Sequence, residues 1–127
     1  MRWTRPRSLA GKLSRSALAI ALTLLAGCHS RFVEATIDNQ SPTPLRLVEV
    51  DYPSASFGAE TIPSNSKFSY RFKIQGSGRL KLQFTDARGQ IHDVDGSELR
   101  EGQEGRVIIT VDPSGSVRWQ PELTTVK

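Results

Sequence analysis

Residues able to do chemistry are few in this 127-residue chain, and their spacing narrows the options. Nucleophilic catalysis needs a base within reach of a serine, threonine or cysteine. The two histidines are His29 and His92, and only His92 lies in a patterned segment. It follows Ile91 on the polar parity of its run, where a side chain faces solvent. The sequence holds no G-x-S-x-G, no glycine-rich phosphate loop and no H-E-x-x-H. Asp93-Val94-Asp95-Gly96-Ser97-Glu98 superficially resembles a calcium loop. An EF-hand places its glycine sixth and its bidentate glutamate twelfth; here they stand fourth and sixth. With Glu101 and Glu104 nearby, a solvated acidic loop able to pair with Arg100 and Arg106 is the simpler reading. No catalytic residue, metal or cofactor is expected. The enzymatic alternative is a weak metal-dependent hydrolase built on His92, Asp93 and Asp95.

The more specific signal surrounds the single cysteine, Cys28. Arg2, Arg5, Arg7, Lys12 and Arg15 precede it with no acid among them, and residues 17–26 run without a charge. A basic segment, a short apolar run and small residues form the pattern of a cleaved, helical secretory signal, with the basic end held on the cytoplasmic side. The run is about half the 20 or so residues that span a bilayer. The stretch Leu25-Ala26-Gly27-Cys28 resembles the lipobox of bacterial lipoproteins residue for residue. The resemblance covers residues 1–28 and implies cleavage between Gly27 and Cys28, with diacylglycerol and usually a further acyl chain, such as palmitate, on Cys28. A lone thiol has no disulfide partner, and acylation removes its reactivity. Each buried CH₂ contributes about 0.8 kcal/mol, so two or more chains anchor stably. His29, in place of the aspartate that marks inner-membrane retention in that family, implies an outer membrane facing the periplasm where the host has one. Otherwise the outer face of the cytoplasmic membrane is implied.

Removing the signal changes the charge argument. The whole chain has 17 Lys and Arg against 13 Asp and Glu, and five of the bases lie before residue 16. The 12 that remain leave residues 28–127 near −1, which removes the case for nucleic acid. One hundred residues suffice for one domain. The expected organisation is a signal over 1–27, a lipidated tether over 28–31, a folded domain over 32–120 and a tail over 121–127.

The elements that must position any site follow a period of two. Val33, Ala35 and Ile37 alternate with polar residues, as a half-buried strand requires. Leu45–Val50 reads as a second strand, close to an edge because Pro44 opens it. Residues 51–66 lack periodicity. Phe68, Tyr70, Phe72 and Ile74 then alternate with Ser69, Arg71 and Lys73, and Leu80, Leu82 and Phe84 alternate with Lys81 and Gln83. Gly76-Ser77-Gly78 would close these two runs as a hairpin, with Ile74 opposite Leu80 and Phe72 opposite Leu82. A four-residue turn at 86–89 would put Phe84 opposite Ile91, and Pro113-Ser114-Gly115 would put Val111 opposite Val117 and Ile109 opposite Trp119. Residues 96–105 read as a polar loop with one helical turn near Ser97–Arg100. The result is an all-β antiparallel sandwich of about seven strands. It looks like the immunoglobulin-like accessory domains of bacterial envelope proteins, including Asn39 after the first strand. A small barrel or a transthyretin-like sandwich fits the same pattern.

Two surfaces are candidates for binding. Tyr52 and Phe57 flank a long loop and are aromatic anchors for a peptide or sugar, unless Phe57 folds inward to cap the core. Arg71, Lys73, Arg79 and Lys81 face outward on the expected hairpin, where Lys73 would oppose Lys81. Such a set attracts an anionic partner or protects strand edges; an acid supplied by a neighbouring strand favours the second. The function expected is a binding or structural module held to the membrane by its N-terminal lipid, contacting an envelope protein or glycan, with Tyr52, Phe57, Arg71, Lys73 and Lys81 as contact residues. A modulator or inhibitor of another envelope protein is the alternative.

Overall fold

The structure is a computed structural model describing residues 31–126. Gly27, Cys28 and the signal segment lie outside the described residues. Eight strands follow in order: β1 Val33–Asn39, β2 Leu45–Tyr52, β3 Ala55–Ile62, β4 Ser66–Phe72, β5 Gly78–Thr85, β6 Ile91–Leu99, β7 Gln103–Val111 and β8 Val117–Thr125. They form two four-stranded sheets, ordered β4-β1-β7-β8 and β3-β2-β5-β6. All pairs are antiparallel except β1 with β7. Among the sandwiches compatible with the sequence, this strand order is the transthyretin-like one. Val33, Ala35, Ile37, Val107 and Ile109 of one sheet and Val50, Leu80, Leu82 and Phe84 of the other are buried in a common core. The alternation that marks these strands is therefore the alternation of core and solvent.

The apolar runs ending at Ile74 and starting at Leu80 do not form a hairpin. β4 pairs with β1, and β5 pairs with β2 and β6 in the other sheet. Parity cannot separate these outcomes, because either arrangement turns Phe72, Leu80 and Leu82 inward. Charge does. The crossing places Arg71 opposite Glu34 and Lys67 opposite Asp38, where a hairpin would set Lys73 against Lys81. Like charges directly opposite are destabilising.

Other departures have local causes. β2 lies inside its sheet, between β3 and β5, since Pro44 precedes the strand and removes no ladder bond. It carries a bulge between Arg46 and Glu49, with Leu47 at φ 48° and 67% exposed. The extra residue turns Val48 and Val50 inward together with Leu45. Gly58 faces that bulge, and a Cβ there would strike the Val48 carbonyl oxygen. β3 fills the stretch that lacked periodicity. Residues 96–99 continue β6 rather than forming a helical turn, and the chain reverses at 100–102. β8 runs to Thr125, so the sheet includes most of the segment expected as a tail.

Pairing directions place the 53–54, 73–77 and 100–102 connections at one end of the sandwich, with Arg31 and Phe32. The 40–44, 63–65, 86–90 and 112–116 connections lie at the other end. Two of these are the same loop. Asp86 N–H donates to Gln90 O and Gly89 N–H to Asp86 O, and the Asp112, Ser116 and Gly115 backbones repeat the pattern at 2.9 Å. Gly89 and Gly115 take φ 79° and 87°, the left-handed position of a three-residue loop with a glycine bulge. The 112–116 loop pairs Val111 with Val117 and Ile109 with Trp119, as expected. The 86–90 loop is one residue longer than the expected turn, so Thr85 opposes Ile91 and Phe84 opposes His92.

Candidate functional site

The end where Arg31 enters carries a groove of about 350 Å³ whose lining includes Phe32, Tyr52, Tyr70, Arg71, Phe72 and Lys73. Each element delivers its part for a simple reason. Phe32 precedes β1 and is tied to β7 by the Gly105 N–H to Phe32 O bond of 3.2 Å. Tyr52 ends β2, where Pro53-Ser54 turns the chain into β3 and pairs Tyr52 with Ala55. Tyr70 and Phe72 lie on the inward parity of β4, an edge strand, so Phe72 is buried while Tyr70 is 44% exposed. Arg71 lies on the outward parity, and Lys73 one residue past the strand's end.

The aromatic rings form a connected set. Tyr52 lies over Phe72 with ring centroids 4.2 Å apart, and Phe57 stacks on Tyr70 at 4.5 Å and 15°. Phe57 is 7% exposed and belongs to the core. It supports the groove from beneath instead of standing in a loop as a docking aromatic. Burial, followed by the proximity of Tyr70, raises the Tyr52 phenol above its ordinary value, so it stays protonated at neutral pH. The Arg71 guanidinium carbon lies 4.9 Å from the Phe32 ring centroid and Lys73 Nζ 5.8 Å from it, both within cation–π range. Among the described residues, no carboxylate lines the groove. Its chemistry is two cations and two phenols around an aromatic floor, which suits an anion carrying an apolar portion.

The four outward bases are thus divided. Arg71 and Lys73 line the groove, and Arg71 also lies opposite Glu34 of β1. Lys81 lies on the outer face of the other sheet, opposite Asp51 on β2 and Asp95 on β6, and Arg79 lies opposite Glu98. Lys81 has acids on both sides and is not part of the groove. Asp51 also hydrogen-bonds Glu49 and raises its carboxyl above the ordinary value, with the charge of Asp51 adding to the effect. Phe32 and Tyr70 were not among the residues expected to bind. The signal available was Tyr70's phenol in an otherwise purely apolar inward row.

A second cavity of about 400 Å³ lies at the opposite end, between the 40–44, 86–90 and 112–116 connections, and His92 and Asp86 line it. His92 is 33% exposed and stacks on Phe84 at 4.6 Å and 10°, with Nε2 2.8 Å from Asp86 Oδ2. Asp86 is held below its ordinary value, first by His92 and then by the Gln90 amide. The longer loop brings His92 to the inward parity. Alternation then sends Asp93 and Asp95 to the opposite face, in register with Gln83 and Lys81. The three residues of the hydrolase alternative do not converge on one site. Among the described residues, no group of three His, Cys, Asp or Glu side chains is placed to hold a metal ion.

No protein-family model matches the chain, and no curated protein matches it. A solved structure does: a protein from Eubacterium rectale determined by NMR, 14% identical, with a TM-score of 0.53. The alignment covers 72% of this chain and 88% of that one. At that identity the likeness concerns the β-sandwich alone.

Proposed function

We propose that this is a lipid-anchored protein of the cell envelope, acylated on Cys28, whose β-sandwich is a binding module and not a catalyst. Anchoring is supported by Leu25-Ala26-Gly27-Cys28 with its basic and apolar flanks. Binding is supported by one observation above all: Tyr52 of β2 and, from the end of β4 in the other sheet, Arg71 and Lys73 line one groove with no carboxylate among its described residues. Phe32, four residues after Cys28 in the sequence, is part of the groove's lining.

Mass spectrometry of the protein purified from membranes tests the anchor. The expected N-terminus is Cys28 carrying diacylglycerol; a start before residue 28 or a bare thiol rejects it. Crosslinking of the acylated protein in intact envelopes tests the groove. Tyr52→Ala and Lys73→Glu should each weaken the captured contact, with Lys81→Glu as the control. A contact indifferent to the first two substitutions rejects the groove as the binding surface.

A further inference from the structure

The nature of the groove's occupant follows from its lining and its position. We propose that the groove of Phe32, Tyr52, Tyr70, Arg71 and Lys73 receives the headgroup of an anionic phospholipid in the membrane that holds the anchor, fixing the domain with this end against the bilayer. The proposal rests on the anchored reading above and adds an orientation and a ligand class.

Three observations carry it. The first is reach. Only His29, Ser30 and Arg31 separate Cys28 from Phe32, and three extended residues span about 10 Å. With the sulfur at the membrane surface, lipid headgroups are the chemistry presented to the groove at the highest effective concentration. The second is charge. Arg71 and Lys73 line the groove with no carboxylate among the described residues. Glu34 and Glu122 line the adjoining groove with Arg71 and Arg106; Glu34 lies in register with both of those bases, and Arg106 is itself paired with Glu122 at 2.7 Å, so three bases with Lys73 face two acids. Each basic residue close to an anionic leaflet favours association by about fivefold. The third is the aromatic set. Tyr52 and Tyr70 present phenols beside apolar rings, the amphipathic character that favours the headgroup level of a bilayer. The charged ends of Arg71 and Lys73 lie over the Phe32 ring at 4.9 and 5.8 Å from its centroid, so cation and aromatic face are offered together. A volume of about 350 Å³ admits a single phosphate-bearing headgroup.

The test uses the full acylated protein purified from membranes and reconstituted in vesicles. A cysteine introduced at Ser54, in the lining of the groove, or at Ala87, in a loop at the opposite end, carries a fluorophore; both positions are exposed. Quenching is read from nitroxide-headgroup lipid in phosphatidylcholine vesicles with or without about one third phosphatidylglycerol. The label at 54 is expected to be quenched several-fold more than the label at 87 in anionic vesicles. That ratio should fall by at least half in neutral vesicles, or when Arg71→Glu and Lys73→Glu are combined. Circular dichroism of the double variant confirms that it is folded. Equal quenching at the two positions overturns the proposal. A ratio unaffected by both lipid charge and charge reversal also overturns it, because the tether alone would then set the geometry. Protection of position 54 by soluble anionic cell-wall fragments, with no dependence on lipid charge, assigns the groove to a glycan instead. Mass spectrometry of the same sample separates the failures. An unmodified Cys28 removes the anchor and this proposal with it; an acylated Cys28 with charge-independent quenching removes only the headgroup contact.

Discussion

Trp119 of β8 lies across Gly96 of β6, so closely that a Cβ at Gly96 would come within 2.3–2.4 Å of three indole carbons. β8 and β6 are edge strands of different sheets, and this contact closes the sandwich along one side. The indole Nε1 is buried without a hydrogen-bond partner among the described residues, so packing rather than polarity holds the ring there. Gly96→Val should cost about 1–3 kcal/mol by overpacking and alter Trp119 fluorescence in the folded state. Urea unfolding followed by circular dichroism gives the first number. Unchanged stability and emission would mean that the ring does not cover Gly96.

Asn39 makes the equivalent closure at the end of the sandwich opposite Phe32. Its fully buried amide donates to the carbonyls of Thr43, Ile62 and Pro63, and its Oδ1 accepts from the Ser41 N–H and hydroxyl. One side chain thereby joins the end of β1 to the 40–44 loop and to the connection leading into β4. Asn39→Ala leaves several of these groups unpaired, a loss of about 1–3 kcal/mol or more. Asn39→Asp should be at least as damaging at neutral pH, because a carboxylate cannot donate to those carbonyls. Denaturant midpoints of both variants check the order.

The two matched loops imply a common pH response. Asp112 is held below its ordinary value first by the Ser114 hydroxyl and also by the Ser116 and Ser114 amides, as Asp86 is by His92 and the Gln90 amide. The fold prefers both carboxylates ionised. Their stabilisation is therefore fully present above the unfolded value, near pH 4, and is lost as pH falls through the lower folded values. Asp86→Asn and Asp112→Asn should each lower Tm at pH 7. The gap from wild type should close below about pH 4, as read by thermal melts across a pH series.

Lys81 and Lys73 should respond differently to charge reversal. Lys81→Glu sets a third carboxylate between Asp51 and Asp95. The expected loss is about 1 kcal/mol, partly relieved by salt. Lys73→Glu, beyond the end of β4, should change stability by less than about 0.5 kcal/mol. If the two lysines faced each other across a hairpin, either reversal would instead stabilise the protein. Chemical denaturation at two ionic strengths distinguishes these cases.

Inside and outside were legible from the residues alone. A strand's period of two is local, so Val33-Ala35-Ile37 and Leu80-Leu82-Phe84 announce their buried faces without knowledge of a partner. The turn at 113–115 was legible for the same reason: Pro113-Ser114-Gly115 carries its own turn geometry. The turn at 86–89 was legible too, but read one residue short, which gave His92 the outward parity. β3 was hidden because the Leu47 bulge and Gly58 break the regular spacing around it.

The groove depended on partnership, which no local pattern encodes. Phe32, Tyr52 and Arg71 meet only because β4 leaves its sequence neighbour to pair with β1 while β2 joins the opposite sheet. Sequence determined an all-β sandwich whose residues have assigned faces, and a cysteine set in a lipobox-like stretch. Tertiary structure alone decided which strands lie side by side, and hence which aromatics and cations share a surface. Alternation fixes a side chain's direction, but pairing is chosen by long-range packing and charge complementarity between strands distant in the chain.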